Sequence, residues 1–339
     1  MCEMKAIFLA KDDIKIKSVY SSDIVKRHLS ALGRIEYVTK EDILKGRDRF
    51  SEVKYIFSTW YMPTFTEEEV TELFPKLEAL FYAAGTVKYF AEPFIKCGVH
   101  VFSAAAANAI PVAEFTASQI ILANKGYYQA QLECKKPLFR LSYSKAQSVA
   151  FSKFGNYDAC VGLIGAGAVG RKVVEYLKPY RLNIYVSDPY LSDEVAQDIG
   201  VQKVELEDLF KKCDVISNHL PDIVETKGML NYELFSLMKD SATFINTGRG
   251  AQVDEKGLVR ALKEKRNRCA LLDVYSHEPL WPWSALNWTK NVFLTPHIAG
   301  SISNEEHRIA EYMCDAFNAY VNGKNSPMEI DLDSIRKMT

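Results

Sequence analysis

The sequence predicts an α/β protein built of two parallel-sheet domains, on three observations. Short β-rich runs alternate with helix-length stretches along the whole chain, the grammar of βαβ units. Those runs fall into two series with one long helical stretch between them. The chain is also 339 residues long, close to twice the usual domain size of roughly 150 residues.

The first series places strands at residues 6–9, 35–38, 55–58, 79–83 and 100–103, and the second at 160–164, 182–187, 214–218, 242–246, 269–273 and 292–295. Residues 111–134 show apolar positions at helical spacing, with Pro111 where a first helical turn tolerates it, so one connecting helix is expected. Residues 135–158 mix aromatic and polar side chains and form the least regular connection, a candidate arm toward a partner subunit. A last helix at 304–321 is expected to cross back onto the first domain, leaving only a polar tail after Gly323. The expected domains are therefore 1–107 with 305–339, and 108–304.

Composition removes several function classes. Forty-two Lys and Arg against forty-three Asp and Glu give a net charge of −1 without single-sign blocks, so neither nucleic acid nor an anionic membrane is an expected partner. The chain has 48% hydrophobic residues but no apolar run of bilayer length. Its opening residues carry an acidic side chain and a short apolar segment too brief for a secretory signal. Seven scattered cysteines show no CxxC pair and no Cys/His cluster, so reduced thiols, no metal and a cytoplasmic protein are expected.

The sharpest local signal is Gly165-Ala166-Gly167-Ala168-Val169-Gly170, directly after a buried β run and before a helical one. In this context Gly165 allows the tight turn, Gly167 admits a pyrophosphate to the backbone, and Gly170 lets helix and strand pack closely. Asp188 ends the next strand eighteen residues beyond Gly170, near the usual spacing of about 20 for an acid on the adenosine ribose. A carboxylate there disfavours a 2′-phosphate, so NAD is expected over NADP. The alternative for Asp188 is a cap on the following helix.

Ligands in open α/β sheets bind beyond the carboxyl ends of strands. The residues just past those ends are His219-Leu220-Pro221, Thr247-Gly248-Arg249-Gly250, Asp273 to Glu278, and Pro296-His297. An Arg, two acids and two histidines thus share one rim. Hydride transfer needs such a set, because the cofactor carries the electrons while the protein handles one proton and one anion. Arg249 could clamp a carboxylate, His297 could exchange the proton, and Glu278 could hydrogen-bond the imidazole and favour its charged form. His277 is the rival proton carrier, ranked lower because no strand end positions it independently. His219 is read as shaping the cofactor loop. Taken singly, Arg249 could equally be a surface ion pair and Glu278 a turn residue.

These segments together resemble the NAD-dependent D-isomer-specific 2-hydroxyacid dehydrogenases. The resemblance spans nearly the whole chain. It rests on the glycine turn, on residues 214–221 with Thr226, on Phe244 to Gly250, on Leu272-Asp273-Val274 with Glu278-Pro279, and on Leu294 to Gly300. It implies a Rossmann NAD-binding domain beside a discontinuous, flavodoxin-like substrate domain, and a homodimer. It implies that Arg249 binds the substrate carboxylate, that His297 is the acid–base residue and that Glu278 is its partner. Ala168, Val169, Asp188, Thr247, Gly248 and Asp273 are implied NAD contacts, Asp273 on the carboxamide; His219, Pro221, Thr226, Ala299 and Gly300 join them on the matching segments. In the first domain, Ala84-Gly85-Thr86 matches a loop whose N–H groups help hold the carboxylate, and Asn108 opens a matching hinge segment.

Two departures stand out. The loop usually has two glycines and a following Asp, where this chain has Ala84-Gly85-Thr86-Val87-Lys88. Trp281, Trp283 and Trp288 occupy a segment that is commonly acidic and proline-rich. The expected activity is reduction of small 2-keto acids of the hydroxypyruvate, glyoxylate or phosphoglycerate type. The alternative is an NAD(H)-sensing protein without significant turnover, similar to the corepressors of the same family.

Overall fold

A computed structural model describes residues 5–136 and 139–337. The chain divides into two compact units, Met1–Asn108 with Ser301–Thr339, and Ala109–Gly300. Met1 to Met4, read above for an export signal, lie outside the described residues together with Cys2, as do residues 137–138 of the connection read as irregular.

The first unit holds β1 (Ala6–Leu9), β2 (Glu36–Val38), β3 (Tyr55–Ser58), β4 (Ala79–Tyr82) and β5 (His100–Ser103). They pair in parallel in the order β5-β4-β3-β1-β2, the flavodoxin-like arrangement. One residue type organises this core. Phe8, Phe57, Phe81 and Phe102 stand in register on four neighbouring strands. Phe57 stacks on Phe81 and Phe81 on Phe102, with ring centroids 5.2 and 4.9 Å apart. The helix Glu305–Val321 closes over this ladder, setting Phe317 edge-on to Phe81 at 5.6 Å. A carboxy-terminal helix therefore belongs to the amino-terminal sheet, because its Phe317 packs on Phe57 and Phe81 of that ladder.

The second unit holds β6 (Tyr157–Ile164), β7 (Arg181–Ser187), β8 (Gln202–Lys203), β9 (Val215–Asn218), β10 (Thr243–Asn246), β11 (Cys269–Leu272) and β12 (Val292–Leu294). All pair in parallel in the order β12-β11-β10-β9-β6-β7-β8. This is the doubly wound order, and the strand sequence reverses between β6 and β9. Gly162 on β6 is needed for packing: a Cβ there would fall 2.5 Å from Leu209 Cδ2 and 2.8 Å from Cys213 Sγ.

Four sequence expectations are corrected. The connecting helix is two helices, Ala105–Asn124 and Tyr127–Cys134, broken at Gly126 with φ +68. A Cβ at Gly126 would also lie 3.1 Å from Ala150 Cα, so glycine serves both the left-handed turn and the close approach. Pro111 sits inside the first of these helices rather than in its opening turn, because that helix begins earlier, where Ser103 Oγ accepts the Ala105 N–H at 3.2 Å. Within the connection expected to be irregular, Phe139–Phe151 is helical and packs on Tyr127–Cys134. After Gly323, the strand Glu329–Ile330 pairs antiparallel with β5 and the helix Leu332–Lys337 follows, so the tail is structured. Among the described residues, no helix is long and apolar enough to cross a membrane.

Candidate active site

The glycine turn lies at the carboxyl end of β6, beside the point where the strand order reverses. Gly165 has φ +94, and a Cβ there would sit 2.8 Å from the His219 carbonyl oxygen. A Cβ on Gly170 would collide with the Gly165 carbonyl oxygen at 2.3 Å. At Gly167 a Cβ would meet nothing within 4 Å, which leaves the open backbone approach that a pyrophosphate needs. Gly167 is also the N-cap of the helix Ala168–Leu177 and provides no side-chain cap, so first-turn N–H groups remain available to an anion. The turn therefore fits a dinucleotide. Asp188 is tied to it, its carboxylate accepting from Ala166 N at 2.7 Å and Tyr190 N at 2.8 Å. The cap of the following helix is Ser192, which accepts from Val195 N.

Next along the rim, the loops after β9 and β10 are joined by buried amides. Asn218 Nδ2 donates to Asn246 Oδ1 at 3.0 Å and to Gln252 Oε1 at 2.6 Å. Asn246 in turn donates to the Arg249 carbonyl at 3.2 Å and accepts the Gly248 N–H at 3.1 Å. The Arg249 backbone is thus fixed, while its guanidinium Nη1 donates to the Gly248 carbonyl at 2.8 Å. Gly250 brings the next loop very close: a Cβ would fall 1.9 Å from Tyr275 C and 2.4 Å from Ser276 N. That contact seats the Arg249 loop against the segment leading to Glu278.

His297 Nδ1 and Glu278 Oε2 are 2.7 Å apart. The histidine backbone is left-handed at φ +54, an uncommon state for a side-chain-bearing residue. It is held there by its N–H, which donates to the carbonyls of Asp273 and Thr295, both at 3.0 Å. Asp273 supports the same loop with its buried carboxylate, accepting from Thr295 Oγ1 at 2.6 Å and from the N–H groups of Ile298 and Ala299, each at 2.9 Å. Its visible partners all lie on the His297 segment. The rival His277 stacks on Trp281 with centroids 4.7 Å apart, and Trp281 stacks on Trp283 at 5.1 Å. The tryptophans thus form an exposed ladder on the loop that carries Glu278.

His219 is buried with Nε2 3.0 Å from Ser217 Oγ, and burial pushes its imidazole down to a pKa of about 4. It is therefore neutral near pH 7 and suits a structural place in the cofactor loop. Thr226 Oγ1 donates to the Pro221 carbonyl at 2.7 Å, closing that loop. Thr247 is buried, 3.0 Å from Thr116 Oγ1. Gly300 is the last residue of the second unit.

In the first unit, Ser103 Oγ donates to the carbonyls of Ala84 at 3.2 Å and Gly85 at 2.6 Å, fixing the loop that continues to Thr86. Asn108 stands beside it: a Cβ on Gly85 would lie 3.9 Å from Asn108 Nδ2, and Asn108 Oδ1 accepts from Ser301 N at 3.1 Å. Sequence reading missed Asn218, Asn246, Gln252 and Thr295. The two asparagines carried a signal, equivalent places at the ends of adjacent strands; Gln252 carried none.

Comparison with known proteins agrees with this geometry. The chain is 29% identical to a D-3-phosphoglycerate dehydrogenase of Methanocaldococcus jannaschii over 312 residues, covering 91% of this chain and 57% of that protein. It is 27% identical to a glyoxylate reductase of Korarchaeum cryptofilum over 271 residues, 80% of this chain and 81% of that one. Its fold matches the apo D-mandelate dehydrogenase of Rhodotorula graminis with a TM-score of 0.79 at 17% identity, covering 97% of this chain and 98% of that one. Residues 120–299 match the profile described as D-isomer specific 2-hydroxyacid dehydrogenase, NAD binding domain. With that match over more than half its length, the chain belongs to the D-isomer-specific 2-hydroxyacid dehydrogenase family and uses NAD as its cofactor.

Proposed function

We propose that the protein is an NAD-dependent dehydrogenase that interconverts small D-2-hydroxy acids and 2-keto acids of the hydroxypyruvate, glyoxylate or phosphoglycerate type. The observation that carries this reading is the 2.7 Å contact of His297 with Glu278 on the rim that also holds Arg249 and the glycine turn. Relatives named phosphoglycerate dehydrogenase and glyoxylate reductase support the substrate class.

Bound NAD supplies the hydride chemistry. Gly165, Gly167, Ala168, Val169 and Gly170 would receive its pyrophosphate, and Asp188 its adenosine ribose. His219, Pro221, Thr226, Thr247, Gly248, Asp273, Ala299 and Gly300 would complete the cofactor wall. Arg249 holds the substrate carboxylate, a charge-assisted contact that orients the reacting carbon. His297 Nε2 then gives a proton to the forming alkoxide during reduction, or takes it from the hydroxyl during oxidation. Glu278 keeps Nδ1 protonated, so that Nε2 is the nitrogen that exchanges the proton. Ala84, Gly85, Thr86 and Asn108 are the substrate contacts proposed in the first unit. A cytoplasmic homodimer completes the reading; light scattering should give twice the monomer mass of 38.4 kDa, and a single-chain mass would contradict it.

The test is NADH oxidation with a panel of 2-keto acids. At least one small acid should turn over, and Arg249→Ala should raise its KM and lower kcat/KM by about 10²-fold or more, as loss of a charged clamp implies. NADH binding with no turnover of any acid would instead indicate a sensor.

A further inference from the structure

Gln252 is fully buried in the turn Gly250–Gln252, and it uses every hydrogen-bonding position it has. Its Oε1 accepts from Asn218 Nδ2 at 2.6 Å and from the Arg249 N–H at 3.1 Å. Its Nε2 donates to the carbonyls of Leu220 and Pro221, both at 2.9 Å. One side of a single amide is thus bonded to the substrate-anchor loop, and the other to the loop His219–Pro221.

The chemistry of the site admits little else. A glutamate would put lone pairs against two carbonyl oxygens, and a leucine would take away the Leu220 carbonyl's donor and the acceptor of two N–H groups, leaving them buried without those partners. Glycine at 248 is part of the same arrangement, since a Cβ there would lie 2.9 Å from Gln252 Oε1 and 3.0 Å from Asn218 Nδ2. Asn218 Oδ1 accepts the Leu220 N–H at 3.2 Å, so the amide that donates to Gln252 also holds the start of the His219–Pro221 loop.

We infer that Gln252 is a positioning residue that couples the two ligands: dinucleotide seated against the 219–221 loop fixes, through this amide, the backbone from which Arg249 reaches the carboxylate. This rests on the function proposed above. The two loops have no other bridge in which one side chain bonds both backbones, among the described residues. A shift of the cofactor loop must therefore move the Gln252 amide, and with it the Arg249 N–H. Coupling of this kind is reciprocal: the factor by which NADH tightens a carboxylate ligand equals the factor by which that ligand tightens NADH.

The experiment measures oxamate and NADH binding by calorimetry, each alone and each with the other saturating, in the full-length protein, Gln252→Glu and Gln252→Met. Thermal unfolding is followed in parallel. In the unaltered chain NADH should tighten oxamate about tenfold or more, within the usual 5–150-fold range of such couplings. Both variants should bring that ratio to within about twofold of unity while each ligand still binds alone. A purely structural role would lower melting temperature or both separate affinities and leave the ratio intact. An unchanged ratio in a variant that remains folded overturns the inference and leaves the proposed function standing. If Gln252→Glu does not fold, Gln252→Met, uncharged and of similar volume, decides by the same criterion. Failure of the unaltered protein to bind oxamate at all, with NADH bound, overturns the proposed function and the coupling with it.

Discussion

A neutral imidazole buried at the carboxyl end of β9 makes stability depend on acid. Burial holds His219 at a pKa of about 4 against an ordinary 6.5. Between those values the unfolded chain binds a proton that the folded chain refuses, so stability is fully present above about pH 6.5 and falls as pH drops toward 4. The gap corresponds to about 3 kcal/mol. The urea midpoint should therefore fall between pH 7 and pH 4.5 by more in the native protein than in His219→Asn, which has no group titrating there. Equal falls in both proteins would remove His219 as the cause. Other single residues act through what they force on the backbone. His297 holds φ +54 because two carbonyls take its N–H and Asp273 binds the two N–H groups that follow. The imidazole is thus aimed by a loop with little freedom, as the proton transfer proposed for it requires.

At the level of elements, successive parallel strands end on one side of the sheet, and each of β9, β10, β11 and β12 delivers one piece of the site from the loop beyond it. The spacing between those loops is set by glycine. Gly250→Ala would place a methyl group 1.9 Å from the Tyr275 carbonyl carbon. Backbone must move to admit it, so this substitution should destabilise the protein by about 1–3 kcal/mol, the usual cost of overpacking. It should also reduce kcat/KM, because the Arg249 and Glu278 loops are pushed apart. Chemical denaturation and steady-state rates check both; native stability with native kcat/KM would mean that the contact is looser than the geometry states.

These elements also show what a sequence can convey. The rim positions of Arg249, Glu278 and His297, proposed above as the catalytic set, were legible because each follows a β run, and strand ends converge in this fold. The helix Phe139–Phe151 was not, because Leu141 and Phe151 on it are exposed and no clean apolar face marks it. The break at Gly126 was missed because one glycine within a helical pattern is often tolerated. Gln252 was invisible for another reason: its partners are backbone carbonyls of a loop some thirty residues earlier, and backbone acceptors leave no trace in residue identity.

For the whole molecule, two sheets divide the labour. The first is sealed by a phenylalanine ladder and a helix from the far end of the chain. The second carries the glycine turn that fits a dinucleotide and the His297–Glu278 pair. The in-register rings were not foreseen, although the discontinuous first domain was implied by resemblance; register depends on strand pairing, which alternation alone does not fix. One variant examines the central claim directly. His297→Ala should lower kcat for 2-keto acid reduction by about 10²- to 10⁴-fold, the range for a lost acid–base group, while NADH titration gives an unchanged Kd. A kcat close to that of the unaltered enzyme would contradict the assignment of His297 as the proton carrier.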